Sequence, residues 1–141
     1  NYRLTNMQAA LGCAQIEQIN SFLQSKQEIA NLYYNAFAEV PGITPMRQAA
    51  WAKHSYWLYT ILIDEFLFGK TSRQVLNQLH DSGIQTRPLW QPMHRSAAHH
   101  ASGDYECPVA DKLSAQALSL PSSSGLDIKS QSEVIKNILS V

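Results

Sequence analysis

Arg87, Trp90 and His94 fall within one stretch, Arg87-Pro88-Leu89-Trp90-Gln91-Pro92-Met93-His94. Its two prolines each fix their own φ near −65° and push the preceding residue out of the helical region. The segment is therefore extended and stiff, and it holds its polar side chains in set directions. A rigid surface loop with a tryptophan laid on the core satisfies these features. So does a loop that reaches into a site for an anionic, ring-containing ligand. Two other stretches mix rings with cationic or hydrogen-bonding groups: Asn1-Tyr2-Arg3 and His54-Ser55-Tyr56-Trp57. Arg3 and Arg87 can hold phosphate or carboxylate bidentately. Trp90 and Tyr56 can stack on a ring. This chemistry points to a ligand class and gives no reaction.

Other chemistries find little support. His94, His99 and His100 lack helical ligand spacing and have no cysteine or acid at a set distance, so they read as solvated loop histidines, not a metal site. There is no Gly-x-Ser-x-Gly elbow and no phosphate-binding glycine loop. Ser122-Ser123-Ser124-Gly125 reads as a turn. With 11 basic and 11 acidic residues the formal charge is zero, so no broad basic field or basic stripe for nucleic acid exists. Cys13 and Cys107 stand far apart, which fits two idle thiols in a reducing compartment. No run of about 18 apolar residues is present to span a membrane.

The elements that must position these residues follow from periodicity. At 141 residues, 45% apolar and 16% charged, the chain has the size and composition of one ordinary globular domain. Thr5 or Asn6 can cap a helix running to about Ile19, with Met7, Leu11, Ala14 and Ile19 at roughly helical spacing. After Asn20-Ser21 a second helix runs to about Glu39, with Phe22, Ile29, Tyr33, Ala36, Phe37 and Val40 on one side. Pro41-Gly42 ends it. Residues 43–55 read as irregular. The run Tyr56 to Ile63 predicts a central strand covered on both faces, and 64–70 a loop. Thr71 or Ser72 caps a helix closed by Gly83, and a strand is expected over 84–89. Residues 99–104 read as loop. Pro108 opens a helix to about Gln116 with Val109, Leu113 and Ala117 inward. Leu118 to Pro121 is a short strand. Asp127 caps a last helix with Val134, Ile135, Ile138 and Leu139 as its stripe. The class is α+β: two long N-terminal helices followed by a small three-stranded sheet covered by helices.

Asn1-Tyr2-Arg3-Leu4-Thr5-Asn6-Met7-Gln8-Ala9-Ala10-Leu11-Gly12 resembles the start of the C-terminal part of the DegT-type sugar-nucleotide aminotransferases, pyridoxal-phosphate enzymes of fold type I. Ser55-Tyr56-Trp57-Leu58-Tyr59, Gly83 to His94 and Leu118 to Ser123 agree in order and spacing. The Arg-Pro-Leu-Trp stretch most resembles the branch that makes 4-amino-4,6-dideoxy sugars on UDP, as in bacillosamine or legionaminic acid pathways. The resemblance implies that residues 1–141 are the small C-terminal domain, including the linking helices 5–39, and that the large cofactor-binding domain lies upstream. It implies a homodimer with its active site between subunits, glutamate as amino donor, a 4-keto-6-deoxy sugar nucleotide as acceptor, and a cytoplasmic protein with neither nucleic-acid nor membrane partners. Asn1 and Arg3 map to the segment that approaches the cofactor phosphate; Arg87, Trp90, His94 and Tyr56 map to the substrate side.

None of the six lysines, Lys26, Lys53, Lys70, Lys112, Lys129 and Lys136, sits in the family's Schiff-base context. The chain alone is therefore expected to bind pyridoxal phosphate poorly and to catalyse nothing. The apolar residues Met7, Leu11 and Ile19 are expected to face the missing domain or the partner subunit, so the isolated fragment should self-associate. Two alternatives keep the sequence but change the reading. Some relatives replace the lysine with histidine and dehydrate the sugar, and a freestanding binding or assembly module is the third.

Overall fold

Short polar caps set where several of the helices begin. In the computed structural model, which describes residues 2–98 and 106–140, Thr5 caps helix α1 (Asn6–Glu17) and Thr71 caps helix α4 (Ser72–Asp81). Each threonine accepts from the third helical amide, and Gln8 or Gln74 reaches back to the cap's own amide. This reciprocal arrangement satisfies two of the amides that a helix start leaves free. The break before helix α2 (Ile19–Phe37) falls at Gln18, slightly ahead of Asn20-Ser21. Asp64 caps a short helix, α3 (Glu65–Phe68), inside the expected loop. Pro108 opens helix α5 (Pro108–Gln116), and Asp127 caps helix α6 (Ile128–Leu139). No helix among the described residues is long and apolar enough to cross a membrane.

The sheet has four strands, not the three expected: β1 (Ile43–Thr44), β2 (Tyr59–Ile63), β3 (Arg87–Pro88) and β4 (Ala117–Leu120), in the order β1-β2-β4-β3 and antiparallel throughout. The added strand is β1. It has two residues, too few for any period to show, and exists because Ile43 and Thr44 pair with Ile63 and Leu62. Gly42 lets the chain turn into it. Its φ is 80°, and a side chain there would meet the backbone of Phe68. Strand β2 is central, as its aromatic run predicts. It begins later than Tyr56, however, because Tyr56 has a φ of 48° and interrupts the extended chain. Strand β3 is shorter than expected; Pro88 has no amide to extend its ladder.

Helices α2, α4 and α6 cover one face of this sheet. Ile29, Tyr33 and Phe37 of α2, Val75 and Leu79 of α4, and Val134 and Ile138 of α6 meet Tyr59, Ile61, Ile63, Leu118 and Leu120. Tyr33 stacks on Tyr59 with ring centres 5.1 Å apart. Some expected core residues lie outside. Val109 is 71% exposed, and Leu113 and Leu139 are also exposed. Helix α1, whose apolar residues are not expected in this core, buries none of its residues. A polar group takes a place in the core instead: Gln131 is buried, and its Nε2 donates to the Ile29 carbonyl at 2.7 Å.

Candidate functional site

The turn from helix α4 into strand β3 brings Arg87 to the sheet. Gly83, with φ 75°, closes α4, and the Ile84 amide donates back to the Leu79 carbonyl at 2.8 Å. Arg87 then pairs with Ser119 on the edge of the sheet and stays exposed. A cavity of about 980 Å³ opens beside it. Arg87, Lys26, Trp57, Ser122, Ser130 and Lys129 are among the residues around it, together with the carboxylates of Asp127 and Glu133. Asp127 is already engaged at the start of α6, where it accepts from the Ser130 amide at 2.9 Å and the Ser130 hydroxyl at 2.7 Å. These bonds hold its carboxyl below the usual range, the Ser130 hydroxyl contributing most. Arg87 and the lysines thus leave the cavity with a small surplus of positive charge.

Trp90 joins this cavity through a neighbour. Its ring stacks on Trp57, centres 6.0 Å apart and planes 22° apart, and Trp57 lines the cavity. Both indoles stay mostly exposed, at 66% and 69%. A pair of open aromatic faces next to an arginine suits a flat ring carrying negative charge.

His94 and Tyr56 turn elsewhere. The 3-10 turn Met93–Arg95 directs His94 toward helix α5, where His94 Nε2 lies 3.0 Å from Asp111 Oδ1. Arg95 Nε donates to the same oxygen at 2.8 Å. The Arg95 bond, with a smaller contribution from His94, holds the Asp111 carboxyl below its ordinary range. Tyr56 packs its ring against His54 at 4.5 Å, and its amide donates to His54 Nδ1 at 2.7 Å. Arg3 is exposed on the lead-in to α1 and does not line the cavity. Asn1, His99 and His100 lie outside the described residues, and among those described no three histidines, cysteines or acids gather as a metal site.

Two side chains at the cavity escaped the sequence reading as site residues. Trp57 stood beside Tyr56 in an aromatic run, and its role depends on which way the chain faces after Tyr56. Lys26 carried a usable signal. It sits three and seven residues before Ile29 and Tyr33, which puts it on the buried side of α2. Its ammonium donates to the Trp57 carbonyl at 2.8 Å and to the Ser122 carbonyl. Partial burial holds it below the ordinary lysine range.

Comparison with known proteins places this geometry. The family model described as the DegT/DnrJ/EryC1/StrS aminotransferase family matches residues 1–139. The chain belongs to that family. It is 34% identical over 129 residues to the GDP-perosamine synthase of Caulobacter vibrioides, covering 89% of this chain and 34% of that protein. It is 27% identical over 143 residues to a UDP-4-amino-4,6-dideoxy-N-acetyl-β-L-altrosamine transaminase of Campylobacter jejuni, covering 100% of this chain and 38% of that one. Among solved structures, Helicobacter pylori PseC, an aminotransferase involved in the biosynthesis of pseudoaminic acid, superposes with a TM-score of 0.88 at 26% identity, over 99% of this chain and 38% of its own. This DegT-family chain therefore spans roughly a third of the length of these relatives. Its α+β architecture is the one PseC has over that third.

Proposed function

We propose that this chain is the small C-terminal domain of a pyridoxal-phosphate-dependent aminotransferase that moves an amino group from glutamate to a 4-keto-6-deoxy sugar nucleotide, in a cytoplasmic pathway toward surface polysaccharide or glycan. The observation that carries the reading is the family match across residues 1–139. The cavity supports it: Arg87 offers two parallel donors for a diphosphate, and Trp57 with Trp90 offers a face for a ring. Relatives described as acting on both GDP and UDP sugars leave the nucleotide to be chosen by experiment.

The residues present fit part of the cofactor. Arg3, exposed ahead of α1, suits a phosphate. When bound, pyridoxal phosphate supplies the amino carrier and electron sink of transamination. The lysine that would hold it covalently belongs, in this reading, to the upstream domain. Lys26 has its ammonium committed to two carbonyls, and Lys70 donates to Gln78 at 2.7 Å. The exposed Met7, Leu11 and Ile16 of α1 then meet that domain or the second subunit of a homodimer.

The test expresses the gene with its upstream coding region and, separately, residues 1–141, and follows product mass with UDP and GDP 4-keto-6-deoxy sugars. Glutamate-dependent amination by the longer protein alone is the expected result. Arg87→Ala should raise its KM for the sugar nucleotide by about tenfold or more. Loss of water from the sugar in place of amination would assign a dehydratase. Activity or cofactor binding by residues 1–141 alone would overturn the division of labour.

A further inference from the structure

We infer that Lys26 is a positioning residue for the substrate side of the cavity: by donating to the Trp57 carbonyl it holds the Trp57 ring against Trp90. The inference rests on the reading of Arg87 and the tryptophan pair as a sugar-nucleotide site.

Trp57 takes its position from the backbone around it. Tyr56, directly before it, has its backbone in the left-handed region at φ 48°, so the chain is redirected just ahead of residue 57. The Trp57 ring is 69% exposed and gains little grip from the core. Strand β2 begins only at Tyr59. Between the redirected backbone and the strand, the tertiary hydrogen bond on Trp57 is the one from Lys26 Nζ at 2.8 Å, arriving from helix α2 across 31 residues of sequence.

The opposite wall is held differently. The Ser122 carbonyl also accepts from Lys26. The adjacent Pro121 carbonyl, however, accepts from Tyr33 Oη at 2.8 Å. Tyr33 lies two turns further along the same side of α2, wholly buried. Without Lys26, Tyr33 still ties the 121–122 wall to α2, and Trp57 loses its tether. The lysine's contribution therefore falls unevenly: small on the fold, larger on the placement of one indole. An ammonium suits the task, since it has three donors on a flexible stem and can bridge two carbonyls that face different elements.

The experiment uses the full-length aminotransferase. Two stacked indoles give an exciton couplet in far-ultraviolet circular dichroism, and Trp57→Phe and Trp90→Phe assign it by each abolishing it. Lys26→Met keeps the aliphatic stem and removes the donors. It should lose the couplet, raise KM for the sugar nucleotide by about tenfold, and leave kcat and KM for glutamate within about twofold. Lys26→Gln retains donors and should recover part of both signals; it also carries the test if the methionine variant fails to fold. A couplet and KM that stay at wild-type values in both variants would overturn the inference. So would a raised KM with the couplet intact, which would make Lys26 a direct ligand contact. A wild-type enzyme with no glutamate-dependent amination would instead defeat the functional reading, while the couplet would still report on Lys26 and Trp57.

Discussion

Helices α1 and α6 are both 12 residues long and both begin on an oxygen cap, yet one is docked and the other is bare. Helix α6 turns Gln131, Val134 and Ile138 to the core at intervals of three and four residues. Helix α1 carries Met7, Leu11 and Ile16, all exposed, on a backbone of alanine, glycine and glutamine. A cap decides where a helix begins; a stripe of the right period decides whether this chain has anywhere to put it. The contrast also separates two uses of apolar residues. Those of α6 complete a core that residues 1–141 contain. Those of α1 present a surface of the kind that marks an interface.

The largest expected effect comes from truncating each helix's apolar face in turn. Ile138→Ala should destabilise residues 1–141 by about 3 kcal/mol, through lost transfer energy and the cavity left behind. Leu11→Ala, 65% exposed in the wild type, should stay within about 0.5 kcal/mol. Urea unfolding followed by circular dichroism measures both. Similar losses at the two sites would show that α1 is packed within this chain after all. In the full-length protein the Leu11 effect should grow, because the face is then covered.

The next effect concerns the polar residue inside α6. Gln131→Ala removes the buried donor to the Ile29 carbonyl, leaves a void where the side chain was, and should cost about 2 kcal/mol. Gln8→Ala in α1 removes only an exposed capping contact and should cost a few tenths of that. A Gln131 variant as stable as wild type would mean that the Ile29 carbonyl's bond within α2 suffices and that the core closes over the vacated space.

Much of this fold is legible in the sequence because α4 and α6 announce themselves twice, by a cap and by a period. Thr71, Val75, Leu79 and Gly83 define α4 from both ends. The aromatic run locates β2 as a central strand. Its true start was hidden, since nothing in Tyr56's type announces a positive φ. Strand β1 was hidden for a different reason: its two residues become a strand only when Leu62 and Ile63 are beside them. Val109 reads as core because it follows Pro108 in a helical pattern, but α5 turns it outward. At the site, Arg87 and Trp90 were visible from residue type and proline stiffening. Lys26 and Trp57 meet through a carbonyl, and backbone hydrogen bonds between distant segments leave no trace in residue type.

The smallest effect separates the two caps by pH. Thr5 and Asp127 do the same work at the two helix starts, but only Asp127 titrates. Its carboxyl is held below the ordinary range by the Ser130 hydroxyl and then the Ser130 amide. A carboxyl whose pKa is lower folded than unfolded adds stability above the unfolded value and loses it as pH falls through the folded one. The start of α6 should therefore loosen on the acid side, below about pH 4, while the start of α1 does not follow. Amide exchange read at Ser130 and at Gln8 across that range distinguishes them: protection at Ser130 falls, and protection at Gln8 shows no matching step. Asp127→Ser keeps an oxygen cap without the titration and should flatten the Ser130 profile. A step that persists in this variant would place its origin elsewhere, with Asp111 the other lowered carboxyl among the described residues, bound to Arg95 and His94 at the far end of the Arg87 loop.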